Sequence, residues 1–231
     1  MWDIGVAKMM EAVNKELILI QDEIRETFGW SLNSDYESAI SLSEKCENPT
    51  VSIVLEGRVT VVGAAAPANY IPSNPTIVAD GAIGALGDKS EVVLIVSDGD
   101  GTPFIEQSLN QGIPICLHAH GDNLDAWKNI LAIADDDQQF ILTHQTPYQI
   151  DGMFNPGGFT DGDRAVCIAF ALGAKEVELV GFTTTEVGAW SGTTDEKRKL
   201  IKLKWMKKVL QLLSLGVDER KKIACYGLLH S

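Results

Sequence analysis

Hydrophobic positions along the chain follow two different periods. Between residues 4 and 28, apolar residues recur every three or four positions, which predicts an amphipathic helix capped by Asp3 and ended by Gly29. Beyond residue 48, short segments are apolar at almost every position and alternate with helical stretches at 124–134 and 163–172. These segments are Val51–Leu55, Val59–Val62, Thr76–Ala79, Val92–Val96, Ile113–Leu117, Gln139–Leu142 and Val177–Val180.

Strands that are apolar at every position are typical of a parallel sheet with helices on both faces. We therefore expect an α/β protein with a three-layer, mostly parallel, doubly wound sheet, preceded by an N-terminal helical segment. We assign residues 1–48 to that segment, which should pack on the core, and residues 49–231 to a single α/β domain.

Composition narrows the choice of partners. The chain has 231 residues, of which 45% are hydrophobic, and a formal net charge of −13, which argues against a nucleic acid or an anionic membrane as partner. We find no targeting or membrane-spanning pattern, and the four cysteines form no C-x-x-C pair. We expect a cytoplasmic protein with reduced thiols that binds small molecules.

Polar and glycine-rich segments follow six of the predicted strands. Ligands of open parallel sheets bind outside the carboxyl ends of the strands, so these six segments predict a ligand site at one edge of the sheet. The segments are GAAAP (63–67), ADGA (79–82), SDGDG (97–101), HAHGDN (118–123), THQT (143–146) and GFTTT (181–185).

The segment SDGDG contains the best candidate metal ligands. Asp98 and Asp100 lie two residues apart in an extended segment, so their carboxylates can share one hard cation such as Mg²⁺. Asp80, at the end of another strand, and Asp161 could add further carboxylates. The structural alternative is a solvated Asp-Gly turn.

Another acidic segment, GGFTDGDRA (157–165), precedes an apolar helix. Thr160 or Asp161 can cap that helix, and the alternative is a site for phosphate and metal. Arg164 could contact a phosphate. Four further basic residues open the predicted helix near 195–214, where a solvated basic face is the simpler interpretation. They are Lys197, Lys199, Lys202 and Lys204.

The segment HAHGDN admits two interpretations. His118 and His120 form an H-x-H pair, which is also found in transition-metal hydrolases. The chain has only four histidines, one of them at position 230, so such a site would have few ligands. A hydrogen-bonding role toward a heterocycle or a phosphate fits better.

The order of these motifs resembles the archaeal MptE-like family of 6-hydroxymethyl-7,8-dihydropterin pyrophosphokinases. The resemblance runs from about residue 25 to 215 through ADGA, SDGDG, HAHGDN, GGFTDGDRA, ELVGF and a K-x-x-K-L helix. That family is similar in turn to the catalytic domain of thiamin pyrophosphokinases. One departure concerns the first glycine loop, which here reads GAAAPAN and lacks a glycine and a serine, so a backbone phosphate cradle there is in doubt.

The resemblance implies Mg²⁺-dependent transfer of diphosphate from ATP to the hydroxymethyl group of the pterin, with release of AMP, and it hints at a homodimer. Residues 49–231 would then be the catalytic domain. The implied magnesium ligands are Asp80, Asp98 and Asp100, with Asp161 and Arg164 as further catalytic residues, and Asp122 or Asp161 as the general base. The implied substrate- and nucleotide-binding residues are Gly63, Pro67, His118, His120, Asp122, Asn123, Gln145, Thr160, Lys199 and Lys202.

Three alternatives remain open from the sequence. VVLIVSDGDGTPF matches the D-x-D-G-T motif of haloacid-dehalogenase-like phosphatases, with Asp98 as nucleophile, Asp100 as acid/base, and Lys128 and residues 135–137 supplying later motifs. That motif normally opens a chain, whereas here a large α/β portion precedes it. A thiamin-type pyrophosphokinase and a non-catalytic nucleotide-binding module are the other two.

Overall fold

One parallel sheet organises the protein. The computed structural model describes residues 11–46, 53–192, 194–216 and 222–224. Within these ranges eight strands pair in the order β6-β5-β4-β3-β2-β1-β7-β8, and every neighbouring pair is parallel. The strands are β1 (Arg58–Val62), β2 (Thr76–Ala79), β3 (Val92–Ser97), β4 (Ile115–Ala119), β5 (Phe140–His144), β6 (Met153–Phe154), β7 (Glu176–Val180) and β8 (Lys222–Ala224).

Helices cover both faces of the sheet. They are α1 (Glu16–Phe28), α2 (Leu32–Lys45), α3 (Phe104–Ser108), α4 (Leu124–Ile133), α5 (Asp161–Ala171) and α6 (Glu196–Gly216), with a 3₁₀ helix at Asp80–Ala85. Apolar residues of α1, α5 and α6 form the core on one face, and those of α2, α3 and α4 form the core on the other. No helix in the described part of the chain is long and apolar enough to cross a membrane.

Alternation along each strand explains the continuous apolar runs. In β3, Leu94 and Val96 belong to the core beneath α5, whereas Ile95 belongs to the opposite core. Both faces are buried, so both sets of positions must be apolar. The predicted α/β class with a doubly wound parallel sheet and N-terminal helices is confirmed.

Two predicted elements differ from the observed ones. The N-terminal helix begins at Glu16, where the Asn14 Oδ1 atom accepts the backbone N–H of Glu16 at 3.0 Å. Residues 4–10 and the predicted cap Asp3 lie outside the described residues, while Gly29 ends the helix as expected, with φ of 66°. The prediction of a strand at 51–55 is wrong for residues 53–55, which do not pair with the sheet. The Leu55 N–H donates instead to the carbonyl of Leu172 at the end of α5.

The sheet changes direction of winding at β1. Strands β2 to β6 follow β1 on one side, whereas β7 pairs with β1 on the other side. Doubly wound proteins bind ligands at the carboxyl edge near such a change of winding. In this protein the loops after β1 and β7 also hydrogen-bond to each other at that edge. Cys46, Cys116 and Cys167 are buried, and Cys225 and His230 lie outside the described residues.

Candidate active site

An open cavity lies at the carboxyl edge of the sheet. Its empty volume, including the space open to solvent, is about 1060 Å³. The loops after β1, β2, β3 and β7 form its floor, and the loop between α1 and α2 and the first turns of α6 close two sides. The predicted site residues on its wall are Gly63, Asp80, Asp98, Asp100, His120, Gln145, Thr160, Asp161, Lys199 and Lys202.

Three carboxylates meet at the ends of β2 and β3. Asp80, Asp98 and Asp100 each offer one oxygen, and these atoms lie within 4.8 Å of one another. Asp80 has a φ of 50°, and its Oδ1 accepts a hydrogen bond from Ser97 Oγ at 2.5 Å. Gly101 lets this carboxylate approach, because a Cβ there would lie 2.3 Å from Asp80 Oδ2. Pairing of the two neighbouring strands therefore brings the three acids together.

The charges in this cluster oppose one another. Burial, together with the charges of Asp161 and Asp98, raises the pKa of Asp80 to about 7. Burial and the charges of Asp98 and Asp80 raise the pKa of Asp100 to about 8, although Asp100 keeps an exposed surface. A bound cation would relieve this repulsion, and a set of carboxylate oxygens suits a hard ion such as Mg²⁺. The donor set present therefore fits that metal.

Asp98 differs from its neighbours because it pairs with His120. The His120 Nε2 atom lies 3.3 Å from Asp98 Oδ2, and His120 Nδ1 lies 2.6 Å from Asp122 Oδ1. Burial disfavours the charged form of each group, but the hydrogen bond and the attraction between the two charges outweigh the effect of burial. The pKa of Asp98 therefore lies well below its usual range, and the pKa of His120 rises to about 9. Asp98 is ionised and His120 is protonated at neutral pH.

His118 and Asn123 lie behind the cavity wall. His118 Nδ1 is 3.1 Å from Thr143 Oγ1 and Nε2 is 3.5 Å from Gln145 Oε1, and burial lowers the pKa of His118 well below its usual value. The Asn123 amide donates to the carbonyls of His118 and Asp98, at 2.7 and 2.8 Å. Asn123 therefore holds the turns after β3 and β4, whereas His118 contacts β5 and the residue that follows it.

The transition-metal interpretation of the H-x-H pair does not fit the geometry. His118 and His120 hydrogen-bond to different partners, and among the described residues the three-carboxylate cluster is the only group of such ligands close enough for a metal. Soft or borderline metals prefer imidazole and thiolate ligands. The cluster instead offers only oxygen.

The segment GGFTDGDRA both caps α5 and contributes to the cavity wall, and its two aspartates have different roles. Thr160 is the N-cap of α5, as predicted, and it forms a capping box with Asp163, whose carboxylate accepts the N–H groups of Phe159 and Thr160 at 2.6 and 2.8 Å. Asp161 lies on the cavity wall, and burial and the charge of Asp98 raise its pKa to about 7. Capping therefore leaves the Asp161 carboxylate available to the cavity.

Arg164 is buried behind Asp161. Its Nη1 atom lies 3.2 Å from Asp161 Oδ1, and its Nη2 donates to the Phe159 carbonyl at 2.9 Å. Arg164 is 2% exposed and does not line the cavity, so it holds Asp161 rather than facing the open space. Pro67 and Asp122 also lie off the cavity wall.

A basic and aromatic wall faces the carboxylates. Lys199 and Lys202 reach the cavity from α6, and Lys202 Nζ lies 5.7 Å from the centre of the Trp30 ring and 5.9 Å from that of Phe159. Sequence reasoning missed Trp30, Phe159, Phe182 and Trp190, which also line the cavity. Single aromatic residues in loops do not belong to a periodic hydrophobic pattern, so the sequence did not indicate that they line a cavity.

The first glycine loop is not a phosphate cradle. The N–H groups of Gly63, Ala65 and Ala66 donate to backbone carbonyls of Val180, Gly181 and Gly63, at 2.8, 2.9 and 3.1 Å. These three donors are therefore committed within the protein. Gly63 instead allows the loop after β1 to pack closely against the loop after β7, because a Cβ at Gly63 would lie 2.9 Å from the Gly181 carbonyl oxygen.

Comparisons with known proteins identify relatives among archaea. No family model matches the chain. A protein of Methanocaldococcus jannaschii is 32% identical over an alignment of 193 residues that covers 72% of this chain and 78% of the relative. A Pyrococcus furiosus protein is 38% identical over 147 residues, 59% of this chain and 61% of the relative. A Methanothermobacter thermautotrophicus protein is 42% identical over 114 residues, 48% of this chain and 47% of the relative. All three are named 6-hydroxymethyl-7,8-dihydropterin pyrophosphokinase.

Proposed function

The chain belongs to the 6-hydroxymethyl-7,8-dihydropterin pyrophosphokinase family, a family of diphosphotransferases, and from this premise we propose that it transfers diphosphate from ATP to the hydroxymethyl group of that pterin and releases AMP. One observation in the structure is the main support for this proposal. A cluster of three carboxylates and Asp161 faces Lys199 and Lys202 across a single cavity. Opposed acidic and basic walls suit a polyphosphate that is itself bound to a cation.

Charge neutralisation is the main demand of this reaction. Asp80, Asp98 and Asp100 would hold Mg²⁺, which when bound neutralises phosphate charge and orients the reacting groups. Lys199 and Lys202 would bind phosphate oxygens from the opposite side. The oxygen of the pterin alcohol forms a bond to the β-phosphorus, the bond from that phosphorus to the α–β bridging oxygen breaks, and AMP leaves with that oxygen.

Asp161 is the better of the two candidate proton acceptors. Its pKa is raised to about 7, so its carboxylate can take the proton of the attacking hydroxyl near neutral pH. The hydrogen bond and charge of His120 instead lower the pKa of Asp122, which makes Asp122 a weak base, and Asp122 lies off the cavity wall. Arg164 holds the Asp161 carboxylate in place.

The N-terminal segment completes the proposed catalytic unit. We assign catalysis to residues 49–231, with two contributions from residues 1–48. Trp30 lines the cavity, and Gln145 is fixed by the Arg25 Nη1 atom on its carbonyl at 2.7 Å and by Asp35 Oδ2 on its amide at 2.9 Å. Removal of the segment would therefore perturb the site. The relation to thiamin pyrophosphokinases supports a homodimer, and use of ATP supports a cytoplasmic enzyme.

Product analysis tests the proposal. Purified protein with ATP, Mg²⁺ and 6-hydroxymethyl-7,8-dihydropterin should release AMP in step with pterin consumption, and omission of the pterin should stop AMP release. Release of ADP, or of free phosphate without the pterin, would overturn it. A beryllofluoride adduct on Asp98 would favour the phosphatase, and equal turnover of thiamin would favour the thiamin-type enzyme.

A further inference from the structure

Ser191 lies on the cavity wall and has no part in the function proposed above. It belongs to the loop between β7 and α6. Its Oγ atom is shielded from solvent, and within the described residues it is the one buried side-chain nitrogen or oxygen that has no hydrogen-bond partner. Buried hydroxyl groups in folded proteins are nearly always paired, so an unpaired one on a cavity wall points to a ligand atom as its partner.

The loop that carries Ser191 is held firmly in place. Trp190 donates its backbone N–H to the Ala64 carbonyl at 3.0 Å and its indole Nε1–H to the Ala66 carbonyl at 2.9 Å. The Ser191 N–H donates to the Gly188 carbonyl at 3.1 Å. The hydroxyl therefore projects from a backbone segment that these three hydrogen bonds hold.

The same loop contacts the turns that carry the carboxylates. A Cβ at Gly81 would lie 2.5 Å from the Trp190 carbonyl oxygen, and a Cβ at Gly192 would lie 3.9 Å from the Asp100 carbonyl oxygen. The residues on both sides of Ser191 thus touch the turns after β2 and β3. Ser191 lies between the first glycine loop and the carboxylate edge, where the phosphates of a cation-bound nucleotide would lie.

We infer that the Ser191 hydroxyl donates a hydrogen bond to a phosphoryl oxygen of the ATP triphosphate, an inference that rests on the proposed function. Ionised carboxylates only accept hydrogen bonds, so Asp80, Asp98 and Asp100 with a bound cation would offer phosphate oxygens no donor. The N–H groups of Gly63, Ala65 and Ala66 are committed to backbone carbonyls. A neutral hydroxyl supplies a donor on this side without adding charge.

Binding and stability of Ser191→Ala test this inference without turnover. The probe is α,β-methylene ATP with Mg²⁺, which carries the triphosphate but lacks the cleavable α–β bridging oxygen. We expect the affinity of Ser191→Ala for this probe to fall about tenfold, as for loss of one hydrogen bond to a charged group. The Tm of the variant without ligand should stay the same or rise, because an unpaired buried hydroxyl is removed.

Ser108→Ala is the matched control. Ser108 is fully buried and its Oγ donates to the Phe104 carbonyl at 2.9 Å, away from the cavity. This variant should show a lower Tm without ligand and wild-type affinity for the probe. A Ser191→Ala variant that behaves like Ser108→Ala would overturn the inference, because the hydroxyl would then be structural.

Two further outcomes separate this inference from the proposed function. If the wild type binds the probe and releases AMP but Ser191→Ala binds the probe equally well, the Ser191 inference alone is wrong. If the wild type releases no AMP from ATP and pterin, the proposed function is wrong and the inference falls with it. Weaker binding of the pterin alone, with unchanged binding of the probe, would assign Ser191 to the heterocycle instead.

Discussion

The two sides of the cavity are built in different ways. The acidic side comes from the ends of adjacent strands β2 and β3 and the start of α5. Three of its four acids are held by a neighbouring side chain: Ser97 holds Asp80, His120 holds Asp98, and Arg164 holds Asp161. The basic side comes from α6, and its Lys202 rests against Trp30 from the distant α1–α2 loop.

This difference has a physical reason. Carboxylates that crowd together repel one another, so short side chains on a rigid sheet edge and specific hydrogen bonds must hold them. Lysine has a long flexible stem and three donors, so it can reach a phosphate from a helix without such support. We therefore expect the acidic side to be sensitive to small chemical changes and the basic side to tolerate them better.

Asp98→Asn should have the largest effect on turnover. The change removes one charge from the proposed metal site and weakens the pair with His120, so we expect a loss of about 1,000-fold or more, equivalent to about 4 kcal/mol. Steady-state AMP release at saturating Mg²⁺ measures it. Asp88→Asn, an exposed acid after the 3₁₀ helix, is the control and should keep wild-type rates. Near-normal activity of Asp98→Asn would remove Asp98 from the acidic side.

Asp161→Asn and Asp163→Ala should have opposite effects on activity and stability. Asp161→Asn removes the proposed base, so turnover should fall about 100-fold, or about 2.7 kcal/mol, while the free energy of unfolding changes by less than about 1 kcal/mol. Asp163→Ala removes the acidic partner of Thr160 in the capping box and should lower the free energy of unfolding by about 1–2 kcal/mol, with activity per folded molecule retained. Denaturant melts and rates on the same samples separate the two. A lower stability with normal activity for Asp161→Asn would make that residue only a capping group.

Lys199→Ala and Lys202→Ala test whether the basic side of the cavity tolerates substitution better than the acidic side. The charge of Lys199 lowers the pKa of Asp100 and of Asp161, whereas that of Lys202 lowers the pKa of Asp122, so the charge of Lys199 acts on the acids of the proposed site. We expect Lys199→Ala to lower kcat/KM for ATP about tenfold, since one charged hydrogen bond is lost, and Lys202→Ala to lower it less. Arginine at position 199 should restore most of the loss. An effect of Lys202→Ala larger than that of Lys199→Ala would contradict this order.

The smallest effect should be a pH dependence of stability without metal. The pKa values of Asp80 and Asp161, about 7, and of Asp100, about 8, lie above those of the unfolded chain, so the folded state holds these protons more tightly. His120, with a pKa near 9, acts in the same direction above pH 6.5. In EDTA, Tm should therefore fall between about pH 6.5 and 8.5.

Mg²⁺ should oppose this fall of Tm with rising pH. It competes with the bound protons, so the Tm increase that it causes should be larger at the upper end of that range than at the lower end. Below pH 6.5 the buried, neutral His118 and His144 favour unfolding, so the comparison belongs above that value. Asp100→Asn should flatten the slope in EDTA. Equal slopes with EDTA and with Mg²⁺ would argue against metal binding at the cluster.

Most of the sheet could be predicted because its strands are apolar at every position. The run Thr76–Ala79 matches β2 at both ends, and Val92–Val96 matches β3 except for its last residue. Helix α2 was not predicted as a separate element, because its sequence LNSDYESAISLSEK buries few apolar residues, chiefly Ala39 and Leu42. Tertiary contacts stabilise this helix more than its own pattern does.

The acids at the strand ends were predictable for a general reason, whereas other parts of the cavity were not. Parallel strands end at one edge of the sheet, so polar residues after β2 and β3 must be neighbours. No such rule places the single Trp30, whereas the T-x-x-D spacing of Thr160 and Asp163 before an apolar run is itself typical of a capping box. The structure contains this capping box, in which Asp163 accepts the N–H groups of Phe159 and Thr160.

The sequence by itself determined the layered architecture, the acidic edge and the resemblance to a pyrophosphokinase family, because these depend on periodicity, on residue type and on the order of motifs along the chain. Only the tertiary structure decided that Lys202 meets Trp30, that Arg164 turns behind Asp161 and that the Ser191 hydroxyl is left without a partner. These facts depend on the side-chain orientation of segments far apart in the chain, and spacing along a sequence does not encode the direction of a side chain in the folded protein.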